Sequence, residues 1–180
     1  MEHNQALIYL IRRDLRISDN PILHSLSTQK DHPFKYLLPL YIFNAQQLEV
    51  SGFIPEGDGA KNPYKEARSE VGGFWRCGPY RAKFLAESVW DMKEGLEKLG
   101  SGLCIRVGST SDVIRALLPQ LRSEKGLNVG AIWVVGEEGI EESREERAVR
   151  DACTEADVDF KLWNDEKYLI DEYVLFSAPS

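Results

Sequence analysis

The 180-residue sequence is short of several things at once. It has no apolar run near the roughly 20 residues that a membrane-spanning helix needs. It has only three cysteines, Cys77, Cys104 and Cys153, far apart and with no CxxC, which speaks against a zinc knuckle, a thioredoxin-type site or a disulfide scaffold. Its three histidines, His3, His24 and His32, make no HExxH and no i, i+4 pair, so a metal centre lacks ligands. Positive charge is the minority sign: 22 Lys plus Arg against 29 Asp plus Glu gives a net charge of −7, unfavourable for nucleic-acid binding by the chain as a whole. No GxGxxG, Walker A or GxSxG motif occurs, so neither a standard dinucleotide site nor a P-loop nor a nucleophile elbow is expected. The first residues, Met1 to Gln5, are polar and lead directly into an apolar run, unlike a secretory signal. An intracellular protein is expected, with nuclear, cytoplasmic and organellar addresses all open.

What is present is a normal globular composition, 43% hydrophobic and 28% charged, at a length that suits one domain. Five short, nearly continuous apolar runs read as strands buried on both faces: Ala6–Ile11, Tyr36–Phe43, Leu103–Val107, Val129–Val135 and Val158–Trp163. Pro39 weakens the second, because proline cannot donate to a sheet ladder. Cys104, inside the third, reads as a small buried hydrophobe. Helical patterns lie between the runs. Asn20–Pro21 opens the first as cap and first-turn proline. Leu85, Val89, Met92, Leu96 and Leu99 form one stripe of a helix from about Tyr80 to Leu99. Val113, Ile114, Leu117, Leu118 and Leu121 form the next, with Thr110 and Ser111 as capping candidates and Pro119 expected to kink or shorten it. Ala148, Val149, Ala152, Cys153 and Ala156 mark the last. Strand alternating with helix predicts an α/β fold: a single three-layer, doubly wound, Rossmann-like domain with a five-stranded parallel sheet. Ligands in such folds bind outside the carboxyl ends of the strands. Function is therefore expected after Ile11, Phe43, Val107 and Val135.

One segment, 44–79, interrupts the alternation as a long glycine- and proline-rich insertion. It carries Phe53, Tyr64, Phe74 and Trp75, with Tyr80 just beyond, among Lys61, Lys65, Arg68, Arg76, Arg81 and Lys83. Either it packs its aromatics on the sheet edge, or it presents a surface to another domain or an anionic partner. Two further stretches could carry chemistry. Arg12–Pro21 places several arginines with Asp14 and Asp19 at the ligand end of the first strand, as guanidinium forks for an anion or as a self-satisfied ion-pair network. Glu137–Arg147 places carboxylates on the first turn of a helix, where the helix dipole favours them. Ser143 and Glu146 there have capping-box spacing. A carboxylate at this edge is either solvated or able to accept two N–H donors from an aminopyrimidine-like ring.

The run IYLIRRDLRISDNPIL resembles the opening R-x-D-L-R-x-x-D-N pattern of the photolyase/cryptochrome family, filled here by Arg12, Asp14, Leu15, Arg16, Asp19 and Asn20. Gly73 to Gly108 resembles the family's next helix and third strand, and VVGEEGIEESREERAVRDAC and FKLWNDEKYLIDE resemble fungal members of the DASH branch of cryptochromes. The resemblance runs from about Ala6 to Glu172. It implies an N-terminal α/β, antenna-binding domain over residues 1–172, with residues 173–180 as an interdomain linker or frayed tail. It also implies a role in blue-light photoreception or light-driven repair of cyclobutane pyrimidine dimers in single-stranded DNA. In the family, an antenna, commonly methenyltetrahydrofolate, passes excitation to a reduced FAD held by a second, helical domain. By motif position Glu142, with Glu141 beside it, would hold the pterin ring, and Arg12 would lie nearby. No catalytic residue is expected in this chain, since the resemblance does not extend to the FAD-binding helical domain, through which DNA would also be bound. Trp75, Trp90, Trp133 and Trp163 read as packing residues rather than as the family's electron-transfer tryptophans. Weak folate binding by the chain alone is the corollary. Two other readings remain: a truncated or spliced product acting as a protein-interaction module through the exposed interdomain face, and a generic adenine-nucleotide-binding α/β domain.

Overall fold

A computed structural model describes residues 5–29, 31–50 and 64–165. The order is β1 (Gln5–Ile11), α1 (Pro21–Thr28), β2 (Phe34–Asn44), α2 (Pro79–Lys98), β3 (Cys104–Gly108), α3 (Thr110–Lys125), β4 (Asn128–Val135), α4 (Ile140–Glu155) and β5 (Asp159–Trp163). All four strand pairings are parallel and the sheet runs β3-β2-β1-β4-β5. Chain order reverses beside β1, between β2 and β4, which opens a crevice at their carboxyl ends.

The period-2 alternation of the strands divides the core in two. On one face Leu7, Tyr9, Ile11, Tyr41, Phe43 and Trp133 meet Ile22 of α1 and Val89, Met92 and Leu96 of α2. On the other Ile8, Leu10, Leu40, Ile42, Ile132 and Val134 meet Ile114, Leu117 and Leu118 of α3 and Val149, Ala152 and Cys153 of α4. A register shift after Ala6 lets Gly130 stand as an extra residue in β4, so Val129 and Ala131 pack on opposite faces.

The expected elements are present, with corrections at particular residues. Pro39 lies inside β2, paired with Tyr9, but β3 joins β2 only from Leu40 onward, so a residue without an N–H is tolerated there. Pro119 does not end α3, which continues to Lys125. Pro119 is exposed, so the Arg115 carbonyl left without its donor can turn to water. Ser109, not Thr110 or Ser111, is the N-cap of α3, and Gly139, not Ser143, is that of α4; the Ser143/Glu146 capping box does not form. Leu99 falls past the end of α2 and is exposed, and Cys104 is half-buried.

Residues 44–50 and 64–79 of the insertion are described, and the second group makes contacts of its own. It folds back on itself: Arg68 and Trp75 form an antiparallel bridge, Ser69 donates its N–H to the Phe74 carbonyl at 2.9 Å, and the Arg68 guanidinium lies 3.7 Å from the Trp75 ring centroid. Tyr64 packs against the first core face, but Phe74, Trp75 and Tyr80 are exposed, so most of these aromatics do not pack on the sheet edge. Trp90 is also exposed, which corrects its reading as a packing residue; Trp133 and Trp163 do pack, with ring centroids 5.0 Å apart. Phe53, Lys61 and the expected boundary at 172/173 lie outside the described residues.

Candidate functional site

The residues that follow the strand ends converge. Arg12 is the first residue after β1, Asn44 the last of β2, Thr110 opens α3 two residues after β3, and Glu137 follows β4 by two. Together with Arg13, Tyr41, Leu48, Phe84, Leu85, Glu142 and Glu145 they line a cavity of about 250 Å³ at the switch point.

Arg12 is the hub. One amino group donates to the Val135 carbonyl at 2.8 Å and pairs with Glu146; the other lies 3.5 Å from Glu145. The Glu145 carboxylate also accepts from the Asn44 side-chain amide at 2.7 Å and from the Thr110 hydroxyl. Glu146, beyond its pair with Arg12, accepts the Glu137 backbone N–H at 3.1 Å. These bonds tie the ends of β1, β2 and β4 to the starts of α3 and α4, in surroundings dry enough for charged hydrogen bonds to be strong. Arg12 and its neighbours thus form an ion-pair network. The Arg12 Nε is buried and has no hydrogen-bond partner among the described residues. Tyr41 on the cavity wall has its hydroxyl pKa pushed up to about 12, first by burial and then by the Glu145 charge.

Asp14 and Asn20 form a second buried cluster beneath the turn. The Asn20 amide donates to the Tyr9 hydroxyl at 2.7 Å and to Asp14 at 3.0 Å, while its oxygen accepts the N–H groups of Ile22 and Leu23 and so caps α1. Arg16 pairs with Asp14 at 2.8 Å and with Asp165. Burial pushes the Tyr9 hydroxyl pKa up as well. The RRDLRISDNP run therefore builds a turn held by its own buried hydrogen bonds and ion pair.

The sequence-predicted residues separate. Arg12 and Glu142 line the cavity, whereas Glu141 points away, is exposed and pairs with Arg76. Glu142 is buried, pairs with Arg13, and is packed so closely against Gly139 that a Cβ there would collide with its carboxylate. Glu137 is the residue that sequence reading passed over. It lies at the sheet's carboxyl edge, lines the cavity and faces Arg13 Nε at 3.4 Å. Its place two residues beyond the end of β4 was the available signal. Arg13 is half exposed, so it can swing to solvent and release both carboxylates. A larger cleft of about 750 Å³ lies alongside, lined by Ser69, Glu70, Phe74, Arg76, Glu141 and Arg144 among others, and shares Asn44, Gln47, Thr110 and Glu145 with the cavity.

Comparison with known proteins agrees with this architecture. The DNA photolyase family model matches residues 7–172. A Neurospora crassa protein named as a mitochondrial cryptochrome DASH is 52% identical over 171 residues, covering 94% of this chain and 23% of its own length. The cryptochrome DASH of Xenopus laevis is 32% identical over 166 residues, covering 92% and 27%. Among solved structures, a Synechocystis cryptochrome superposes with a TM-score of 0.64 at 23% identity over 91% of this chain and 28% of its own. A photolyase from Sulfolobus tokodaii gives 0.61 at 22% over 89% and 29%. The chain thus spans about a quarter of the length of the relatives it matches. The chain belongs to the DNA photolyase family, as an N-terminal α/β domain of the cryptochrome DASH type.

Proposed function

We propose that this chain is the antenna-binding and scaffold part of a blue-light photoreceptor or photolyase. In that reading the flavin chemistry and the grip on single-stranded DNA belong to the helical region of longer family members. The observation that carries the antenna role is the cavity at the switch point. It brings carboxylates (Glu137, Glu142 and Glu145) together with an aromatic wall (Phe84) and apolar side chains (Leu48 and Leu85). That donor set fits a flat heterocycle with an aminopyrimidine edge, as in methenyltetrahydrofolate: carboxylates accept its two N–H groups and the ring lies against apolar side chains. When bound, the folate supplies light absorption and transfer of excitation. The protein contributes placement and electrostatics. Glu142 or Glu137 accepts the ring N–H groups once Arg13 swings out; Arg12 fixes the wall by holding Glu145 and Glu146; Glu141 lies on the outer rim. FAD is assigned to the helical region and not to this chain. An intracellular and organellar address is in keeping with the name of the Neurospora relative.

The test is a near-ultraviolet and visible titration of the 180-residue protein with methenyltetrahydrofolate. A saturable shifted band, weakened in Glu142→Gln or Glu137→Gln, supports the reading, and the variant with the larger loss identifies the ring partner. A spectrum equal to the sum of its parts at millimolar ligand sinks it.

A further inference from the structure

Helix α4 separates its charges. Most of its carboxylates are claimed by arginines of other elements: Glu141 by Arg76, Glu142 by Arg13, Glu145 and Glu146 by Arg12, and Glu155 by Arg115. Its own arginines, Arg144, Arg147 and Arg150, are exposed and have no ion pair among the described residues. Elsewhere the pattern is reversed. Arg12, Arg13, Arg16, Arg68, Arg76 and Arg115 all pair with carboxylates. The other arginines without an ion pair, Arg81, Arg106 and Arg122, sit one to an element. Steps of three along an α-helix advance about 4.5 Å and turn by about 60°, so the arginines of α4 form one ridge about 9 Å long. Phe160 steadies one end of it, with its ring centroid 5.1 Å from the Arg150 guanidinium carbon. Asp151, exposed on the same helix, acts on the charge of Arg115 and makes no ion pair with the ridge.

We infer that this ridge docks the sugar-phosphate backbone of a nucleic-acid single strand, with one arginine to each of about three successive phosphates. None of the three arginines lines the 250 Å³ cavity, so the surface is separate from the antenna site. All three cations are arginines, whose guanidinium forks match phosphate oxygens. The length of the ridge suits about three nucleotides at the ~3.4 Å advance of a stacked strand. No large apolar side chain is exposed on α4 from Arg144 onward. The ridge therefore offers neither a platform for base stacking nor the buried anchor that a protein partner needs. Its contacts are with the backbone alone and are indifferent to base sequence. A flexible strand can follow a convex helix, whereas a rigid duplex, itself convex, meets it at fewer phosphates. The net charge of −7 does not cancel the ridge, because charges more than about 10 Å apart are largely screened at ~0.1 M salt.

Fluorescence anisotropy of a labelled oligothymidylate, titrated with the 180-residue protein from about 50 to about 200 mM salt, tests this. The binding constant is expected to fall about twentyfold over that range, a log–log slope of about −2 from ~0.7 per phosphate. Arg144→Gln, Arg147→Gln and Arg150→Gln each reduce the slope by about 0.7, and the triple variant loses binding. Arg147→Lys keeps the slope, and Arg122→Gln, on α3, changes nothing. A duplex of the same length binds more weakly and with a smaller slope. Binding that persists in the triple variant, or no binding of the oligothymidylate at the lowest salt, overturns the inference. Polyglutamate that displaces the strand as well as unlabelled oligothymidylate does would assign the ridge to acidic proteins and overturn it too. Circular dichroism melting of each variant separates lost binding from lost folding.

Discussion

At the scale of single residues, buried polar side chains here serve two elements at once. Asn20 caps α1 and also supplies donors to Tyr9 and Asp14. Asn20→Ala removes the cap, about 1 kcal/mol, and leaves a buried carboxylate short of a donor, a further ~1–3 kcal/mol. A loss of about 3 kcal/mol is therefore expected in urea unfolding; a loss under 1 kcal/mol would show the cluster to be slack. Gly139 is required for a different reason. Its φ of −71° and ψ of 148° suit any residue, so the need is for space: an added Cβ collides with Glu142. Gly139→Ala is expected to cost about 1 kcal/mol through the poorer N-cap and to displace Glu142, lowering folate affinity as Glu142→Gln does. Tyr41 makes the molecule sensitive to alkali. Its folded pKa, about 12, stands above the ordinary 10, so its contribution to stability is complete below pH 10 and is lost as pH rises through 12. Urea midpoints measured from pH 9 to 12 are expected to fall less steeply in Tyr41→Phe than in the wild type. Parallel curves would remove Tyr41 as a cause.

At the scale of elements, strands and helices were legible because burial on two faces leaves a direct trace in sequence: continuous apolar runs for the strands and three-four stripes for the helices. The departures occur where the deciding contact is distant in sequence. Thr110 has the chemistry of a cap, yet its hydroxyl is taken by Glu145, 35 positions away. Glu146 has capping-box spacing, yet Arg12 reaches it from across the sheet. Pro119 is the clearest case, since local rules end the helix while Ile114, Leu117 and Leu118 keep it seated on the sheet. The cost of proline in a helix interior is about 3 kcal/mol, against ~0.4–1 kcal/mol gained by stiffening the unfolded chain. Pro119→Ala is therefore expected to raise stability by about 2 kcal/mol, read as a higher melting temperature. A lower one would mean that the proline ring itself packs in the fold.

At the scale of the whole molecule, the candidate site was half legible. Arg12 and Glu142 could be placed from motif position and Glu137 from its place just after β4, whereas the pairing of Arg13 with both carboxylates emerges only when strand ends and helix starts meet in space. The same assembly leaves one side of the site open. Phe84 walls the cavity but is 70% exposed, and Tyr80, one turn earlier on α2, is 90% exposed. Two large aromatics beside a ligand cavity, in a chain spanning a quarter of its relatives' length, suit a surface that a second body covers. Such a cover would exclude water from the ring site and strengthen each charged hydrogen bond within it. Methenyltetrahydrofolate is thus expected to bind the 180-residue chain weakly, and at least tenfold more tightly, about 1.4 kcal/mol, when the chain is joined to the helical region of a DASH relative. Tyr80→Ser with Phe84→Ser should leave the melting temperature of the short chain nearly unchanged, because surface substitutions cost little, and should erase most of the gain in the joined form. Hydroxyl-radical footprinting supplies the independent reading: Tyr80 and Phe84 are oxidised readily in the short chain and protected in the joined one. Equal oxidation in both forms would place the covering body elsewhere and leave α2 as free surface.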